Sequence, residues 1–591
     1  MSFFKNSRVY MLSAVAYTGS FLFGYDTGVM GSVLALDSFK DDFHLPTGST
    51  GFASSREAEV SSNVVALLTA GCFFGAIAAA FANDRYGRKN SLLVLSVIFM
   101  IGAAVQTGGK STISFIYGGR VIAGFGIGGM SAITPIYVSE NCPPDVRGRI
   151  AGLFQEFLVI GVTVSYWLCY GVEKNIAPTT KQWRIPIGFQ LVPSGLMFIG
   201  LWFLKESPRW LMKQGRYEEA TVSLAFTRHA EPDSDEVQQE LAEIKASIEE
   251  ELRSTEGVTW REVLLPGNRL RFLNAFLIMF WQQFSGTNSI GYYAPQLFQT
   301  IGVASTDTSL FTTGIYGVVK VVATGLFLLI GIDRFGRKWS LVAGGVAMAV
   351  FMFILGAVLV SYPPVDTSTI SSASIAMIVM IYLYVISYSA SWGPIPWVYI
   401  SEIFPTRLRA YGVGMGSATQ WLFNFVVTKF TPSAISNIGW RTFIMFGVFC
   451  FAMGTWVLFF VKETKGKRLE DMDDIFGGNT VQPAQKDVEQ ADVGEQGEVD
   501  KTQTRHEEQV STSFMAAKQD VAAREEAPAP RSPETRAKVI ERYFCSEHKK
   551  KTVAWRWDFL MGTRSRISWL NCKRLGDVRT PEETPSSPQP E

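Results

Sequence analysis

Histidine is scarce in this 591-residue chain: there are four, His44, His229, His506 and His548, and none falls in a long apolar run. That removes a histidine relay or a histidine-rich metal site. The six cysteines (Cys72, Cys142, Cys169, Cys450, Cys545 and Cys572) keep no metal-ligand spacing, and four lie in or beside apolar runs. Small buried hydrophobes are therefore expected, not a disulfide framework. Charge is sparse, at 18% of residues with a formal net of +1. No basic domain stands out over the first 470 residues, so nucleic acid is not an expected partner. No nucleophile–base pair is discernible, which argues against an enzyme. Lys5 and Arg8 precede an apolar run too long for a cleaved signal peptide, and no small-residue cleavage site follows.

Apolar residues are abundant, at 47%, and they come in blocks. A helix needs about 20 of them to cross a bilayer at about 1.5 Å per residue. Twelve such helices are expected: Val9–Leu36, Val60–Ala82, Ser91–Thr107, Ile113–Val138, Ile150–Tyr170, Ile185–Leu204, Leu273–Tyr293, Leu310–Ile332, Ser340–Val360, Ile375–Ile400, Tyr411–Phe430 and Phe443–Val461. Arg and Lys cluster in alternate loops, from Lys5 and Arg8 through Arg85, Arg88 and Lys89 to Lys462, Lys465, Lys467 and Arg468. By the positive-inside rule these loops and both termini are cytoplasmic, and a multi-pass plasma-membrane protein, monomeric, is expected.

The expected organisation is an N-terminal six-helix bundle over 1–204, a cytoplasmic helical linker over 205–269, a second bundle over 270–470 and a cytoplasmic tail over 471–591. In the linker, "EVQQELAEIKASIEEEL" has the pattern of an amphipathic surface helix. The tail is polar and rich in Pro, Glu and Gln, which predicts disorder. Its end, "HKKKTVAWRWDFLMGTRSRISWL", mixes basic and aromatic residues; a membrane-surface segment and a misread gene end are the two readings of it.

The chain repeats itself. "DRYGRK" at Asp84–Lys89 returns as "DRFGRK" at Asp333–Lys338, "IYVSENCPPDVRGR" as "VYISEIFPTRLRA", and "LKESPR" faintly as "VKETKG". The three echoes keep their order, about 250–260 residues apart, which predicts two homologous six-helix halves related in parallel. Acids and bases lie close together in each echo: Asp84 with Arg85 and Arg88, Glu140 with Arg147, Glu206 with Arg209, and Glu402 with Arg407 and Arg409. Asp333, Arg334 and Arg337 repeat the first group. Single pairs at a water boundary are weak, but several linking the halves would form a gate.

"GYDTG", "GRVIAGFGIGG", "ESPRWL", "QQFSGTN", "GPIPW" and "ETKG", in that order, resemble the sugar porter family of the major facilitator superfamily, and most of all its fungal monosaccharide transporters. The likeness runs from about Tyr10 to Glu470. Lys205 and Lys462 stand where the family usually has Pro before "ESPR" and "ETKG". The resemblance implies an all-α fold of twelve membrane helices in two pseudo-symmetric halves, working by alternating access with no cofactor.

A sugar presents hydroxyls and apolar C–H faces, so amides and aromatics suit it. Span seven supplies Gln282, Gln283, Asn288, Tyr292 and Tyr293, and Gly286, Gly291 and Pro295 interrupt it, a pointer to a binding site. Trp421 lies beside Gln420 in span eleven. By resemblance, Gln155, Gln282, Gln283, Asn288, Trp397 and Gln420 match sugar-binding positions. The other reading of each amide is a bond between helices.

"GIYGVVK" and "KQWRIPIGFQLVPSG" resemble fungal quinate permeases, and three readings stand for Lys320, near the middle of span eight: a partner for a substrate carboxylate, an internal ion pair, or a position facing water. A neutral hexose or pentose is expected ahead of a sugar acid. Asp26 and Arg120 lie at matching depth and should pair, since either alone would be costly. The resemblance implies that they couple transport to a proton; a purely structural pair is the alternative. Glu156 is a second intramembrane acid with no role assigned. A non-transporting glucose sensor with a signalling tail is the alternative of another class.

Overall fold

A computed structural model describes residues 7–46, 55–109, 112–255, 260–303, 305–331, 336–364, 370–465 and 476. The expectations for the tail, and for Asp333 and Arg334, lie outside these residues.

The helices are α1 (Ser7–Ala35), α2 (Asp37–Asp42), α3 (Ser55–Tyr86), α4 (Arg88–Gly108), α5 (Ile113–Asn141), α6 (Pro144–Asn175), α7 (Thr180–Phe189) and α8 (Leu191–Phe203). Three linker helices follow, α9 (Pro208–Lys213), α10 (Tyr217–Arg228) and α11 (Asp235–Thr255). The second half holds α12 (Pro266–Phe284), α13 (Thr287–Thr300), α14 (Thr306–Leu326), α15 (Arg337–Ser361), α16 (Ser372–Ser389), α17 (Ile395–Glu402), α18 (Thr406–Ile438) and α19 (Arg441–Phe460).

Spans six, seven and ten are each made of two helices, α7–α8, α12–α13 and α16–α17, so the twelve expected spans are all present as helix. Among the described residues nine spans are both long and apolar enough to cross a membrane by composition alone. The other three are α1, α12–α13 and α18. Contacts across the halves join α1 to α13, α18 to α3 and α6 to α14. The linker helices have a small core of their own, with Trp210, Leu224, Val237 and Leu241 at its centre.

The repeated hexamers build the same circuit twice. In the first half Arg88 forms a two-pronged bond to Glu140 at 2.8 and 2.9 Å. Glu140 also accepts from the Ser207 hydroxyl, and Glu206 accepts from the backbone N–H of Arg88 and Lys89. In the second half Arg337 bonds Glu402 at 2.7 Å, Glu402 accepts from the Thr464 hydroxyl, and Glu463 accepts from the N–H of Arg337 and Lys338. Each glutamate thus satisfies the orphan donors at the start of α4 or α15 and opposes the positive end of the helix. The glycine inside each hexamer is required. Gly87 and Gly336 have φ of 94° and 77°, and a Cβ would meet the capping carboxylate at 2.4 and 2.8 Å.

This pairing corrects the one read from proximity in sequence. Glu140 bonds Arg88 and not Arg147, which donates to the Cys142 carbonyl. Glu206 caps α4, and Arg209 bonds Glu251 of α11 instead, at 2.8 Å. Glu402 bonds Arg337; Arg407 is held by Glu262 at 2.8 and 2.9 Å, and Arg409 donates to the Phe404 carbonyl. Asp84 keeps an exposed contact to Arg88 at 3.4 Å, and Arg85 lies over the Tyr86 ring. Helix starts offer several N–H donors to one carboxylate, so a distant helix start outcompetes a neighbouring arginine for Glu206. Each circuit closes within its own half.

Outside the spans, burial opposes ionisation of Glu251, but the Arg209 hydrogen bond and the Lys213 charge outweigh it and hold its carboxyl below the ordinary glutamate value.

Because the two caps are equivalent, Glu206→Ala and Glu463→Ala should cost similar stability, about 1–2 kcal/mol each. Thermal unfolding of the purified chain in detergent checks this; a loss confined to one half would break the equivalence.

Candidate solute and coupling site

Span seven breaks at Gly286, where φ is 88° and a Cβ would meet the Phe446 ring at 2.8 Å. The break exposes carbonyls that a continuous helix would consume. Tyr384 donates to the Ser285 carbonyl at 2.8 Å, and the Cys450 thiol lies 3.4 Å from the same oxygen. A second irregularity, the non-helical φ/ψ of Tyr293, falls two residues before Pro295, as expected where proline removes a donor and clashes with the preceding turn.

Three of the expected amides form one chain beside this break. Asn288 donates to Gln283 at 2.6 Å, Gln283 to Gln282 at 3.1 Å, and Gln282 to the Trp392 carbonyl at 2.8 Å. Trp392 lies in the gap between α16 and α17, so the two broken spans of this half are tied together. An amide chain fixed at one end presents its remaining donors and acceptors in a set orientation. On α18 the Gln420 and Asn424 carbonyl oxygens are buried without a partner, a deficit that a bound hydroxyl would satisfy. Asn424 lies one turn beyond Gln420, so its face was available to the sequence reading, which missed it. Gln155 on α6 and Trp397 on α17 are half-buried, as a lining residue should be. No hydrogen bond joins either to the amide chain among the described residues.

Trp421 is placed differently from its neighbour: it packs against Phe23 of α1 at 5.1 Å, a contact between halves. Tyr293 likewise bridges, donating to the carbonyls of Thr428 at 3.0 Å and Ser61 at 3.5 Å. Tyr292 sits between the two candidate functions. Its hydroxyl lies 3.5 Å from the Asn424 amide, beside Thr27, and within electrostatic reach of Arg120.

Asp26 and Arg120 form an ion pair, both fully buried. The Arg120 Nε donates to the Val64 carbonyl at 3.0 Å, while the second Asp26 oxygen and the Arg120 Nη2 have no partner. Gln190, between α7 and α8, lies fully buried beside Asp26. Sequence gave no reason to single out Gln190 inside "GFQLVPSG". Lys320 is on α14, 9% exposed. Glu156 of α6 lies against Gly325 of α14 with one carboxyl oxygen buried and unbonded.

The halves are closed at the end away from the hexamers. Tyr166 donates to the Gly291 carbonyl at 2.6 Å, Gln296 to the Gly31 carbonyl at 2.8 Å, and Lys429 to the Ser62 hydroxyl at 3.3 Å and to Asn63. All are bonds between halves. At the hexamer end the described ion pairs stay within a half or run to the linker.

Removing one member of a buried pair strands the other charge, at a cost of about 3–5 kcal/mol. Asp26→Leu should therefore lower thermal stability more than the double change Asp26→Leu with Arg120→Leu. Equal losses in the single and double variants would show that the pair is not energetically linked.

The profile of a family described as "Sugar (and other) transporter" matches residues 12–476. Among curated relatives, the probable quinate permease of Aspergillus flavus is 39% identical over 480 residues, covering 80% of this chain and 88% of the relative. That of Aspergillus niger is 38% identical with the same coverage. Among solved structures, the partially occluded inward-open form of the xylose transporter XylE from E. coli has a TM-score of 0.65 at 27% identity. It covers 78% of this chain and all of that one. The proton:xylose symporter XylE bound to 6-bromo-6-deoxy-D-glucose has a TM-score of 0.64 at 28% identity.

Proposed function

The chain belongs to the sugar (and other) transporter family of the major facilitator superfamily, and we propose that it imports a small polyhydroxylated ring solute together with a proton. The observation that carries this reading is the pairing of two features in one membrane bundle. One is an amide chain with unpartnered acceptors facing it on α18; the other is a sealed carboxylate–guanidinium pair, with Tyr292 between them. Amides match ring hydroxyls, which hexoses, pentoses and quinate all possess. The names of relatives point both ways, to xylose and to quinate.

In the proposed cycle the hexamer end is cytoplasmic, in the plasma membrane, so the state described is closed outside. Protonation of Asp26 breaks its pair with Arg120. The freed guanidinium then draws on Tyr292, whose bond to Asn424 touches the solute face of α18. Binding and protonation thereby favour the same change of access, which is what coupling requires. The hexamer circuits, Arg88–Glu140 and Arg337–Glu402, keep each half rigid as it rocks. Asp84 of the first half, which has only an exposed contact at 3.4 Å, meets Arg409 of the second when the inner side closes.

Uptake of labelled glucose, xylose and quinate into yeast lacking hexose transport, with and without a protonophore, tests the reading. Wild type should concentrate at least one solute and lose concentration, not entry, with protonophore. Asp26→Asn should abolish accumulation and leave exchange. Accumulation by that variant equal to wild type would refute the proton assignment.

A further inference from the structure

We propose that Lys320 is a carboxylate receptor, and hence that the transported ring carries an acid group. This rests on the alternating-access reading above and narrows its substrate class. α14 has two faces. Val318, Val322 and Leu326 are exposed and suit lipid, whereas Thr313, Tyr316, Gly317, Lys320 and Thr324 are buried at the spacing of one helical stripe. Lys320 is therefore on the protein side of a membrane helix, nine-tenths buried, and its ammonium makes no hydrogen bond or ion pair among the described residues.

The facing wall is α6, where Gly317 lies against Thr163 and Gly325 against Glu156. Glu156 is the acid of α6 at that depth, but it is level with Gly325, five residues or about 7.5 Å along the axis from Lys320. The two do not pair. One turn from Lys320 the Tyr316 hydroxyl is buried and also lacks a partner. An ammonium and a hydroxyl, both unbonded, on the inner face of a span next to the moving seam between halves, form a receptor for an anion. A neutral sugar would leave the ammonium uncompensated, at a cost of several kcal/mol. A carboxylate on the same ring removes that cost while the amides take the hydroxyls.

The charges then balance over the cycle. The empty carrier holds Asp26⁻, Arg120⁺ and Lys320⁺, a net of +1. The loaded carrier holds neutral Asp26, Arg120⁺, Lys320⁺ and a monoanion, again +1. Transport of the acid with one proton is therefore electroneutral, while a neutral sugar with one proton would move one positive charge.

The test uses the purified full chain in liposomes, with quinate, glucose and xylose as probes and the potential set by valinomycin and a potassium gradient. Wild type should concentrate quinate under a pH gradient at a rate that does not respond to the potential, and favour it over both sugars. Lys320→Met should reduce quinate uptake about 10- to 100-fold, the loss expected for one hydrogen bond to a charged group, without reducing sugar uptake. Lys320→Arg should retain most of the quinate rate. Proton-driven sugar uptake that responds to the potential, with quinate excluded, would overturn this inference and leave the symport reading standing. Quinate uptake unchanged in Lys320→Met would also overturn it. Uptake of no probe under a pH gradient would instead refute the symport reading, and this inference with it.

Discussion

A charge held inside a bilayer costs several kcal/mol unless an opposite charge meets it, and Asp26 and Arg120 meet with no exposure at all. α1 and α5 are held in fixed relation by that contact, and Val64 of α3 is drawn in through the arginine Nε. In the proposed cycle a pair so enclosed has two conditions, joined or neutralised by a proton. Tyr292 and Gln190 are neighbours of the pair. In the proposed cycle this is the element with two states, and the solute site borrows its energy from it.

The same rule, that every polar group in lipid needs an answer, explains the layout of the rest. Helix breaks are confined to places where other groups satisfy the freed carbonyls, as Tyr384 does for Ser285 and Gln282 for Trp392. Among the groups left without a partner are the carbonyl oxygens of Gln420 and Asn424, which the proposed cycle assigns to the solute. The far end of the bundle is closed by hydrogen bonds between halves, most of them neutral, such as Gln296 to Gly31, and neutral bonds are cheap to exchange for water.

Much of this was legible in the chain. The apolar blocks marked all twelve spans because lipid leaves the sequence few alternatives, and the repeated hexamers announced the two halves. Gln282, Gln283 and Asn288 do stand together, since the break at Gly286 that brings them together is itself written in the sequence. What the sequence hid was partner choice. Glu206 caps a helix more than a hundred residues away, and Glu140 prefers Arg88 to the nearer Arg147; neither follows from spacing, because the third dimension supplies better donors. Trp421, read as a lining residue from its place beside Gln420, packs on Phe23 of the opposite half, a contact that spacing does not reveal. Gln190, inside an apolar run, carried no signal at all.

The coupling role of the sealed pair is most directly tested by counting protons. With purified protein in liposomes and a pH-sensitive dye inside, solute entry in wild type should bring in one proton per molecule, and entry through Asp26→Asn should bring in none. Equal proton movement in the two would contradict coupling through Asp26.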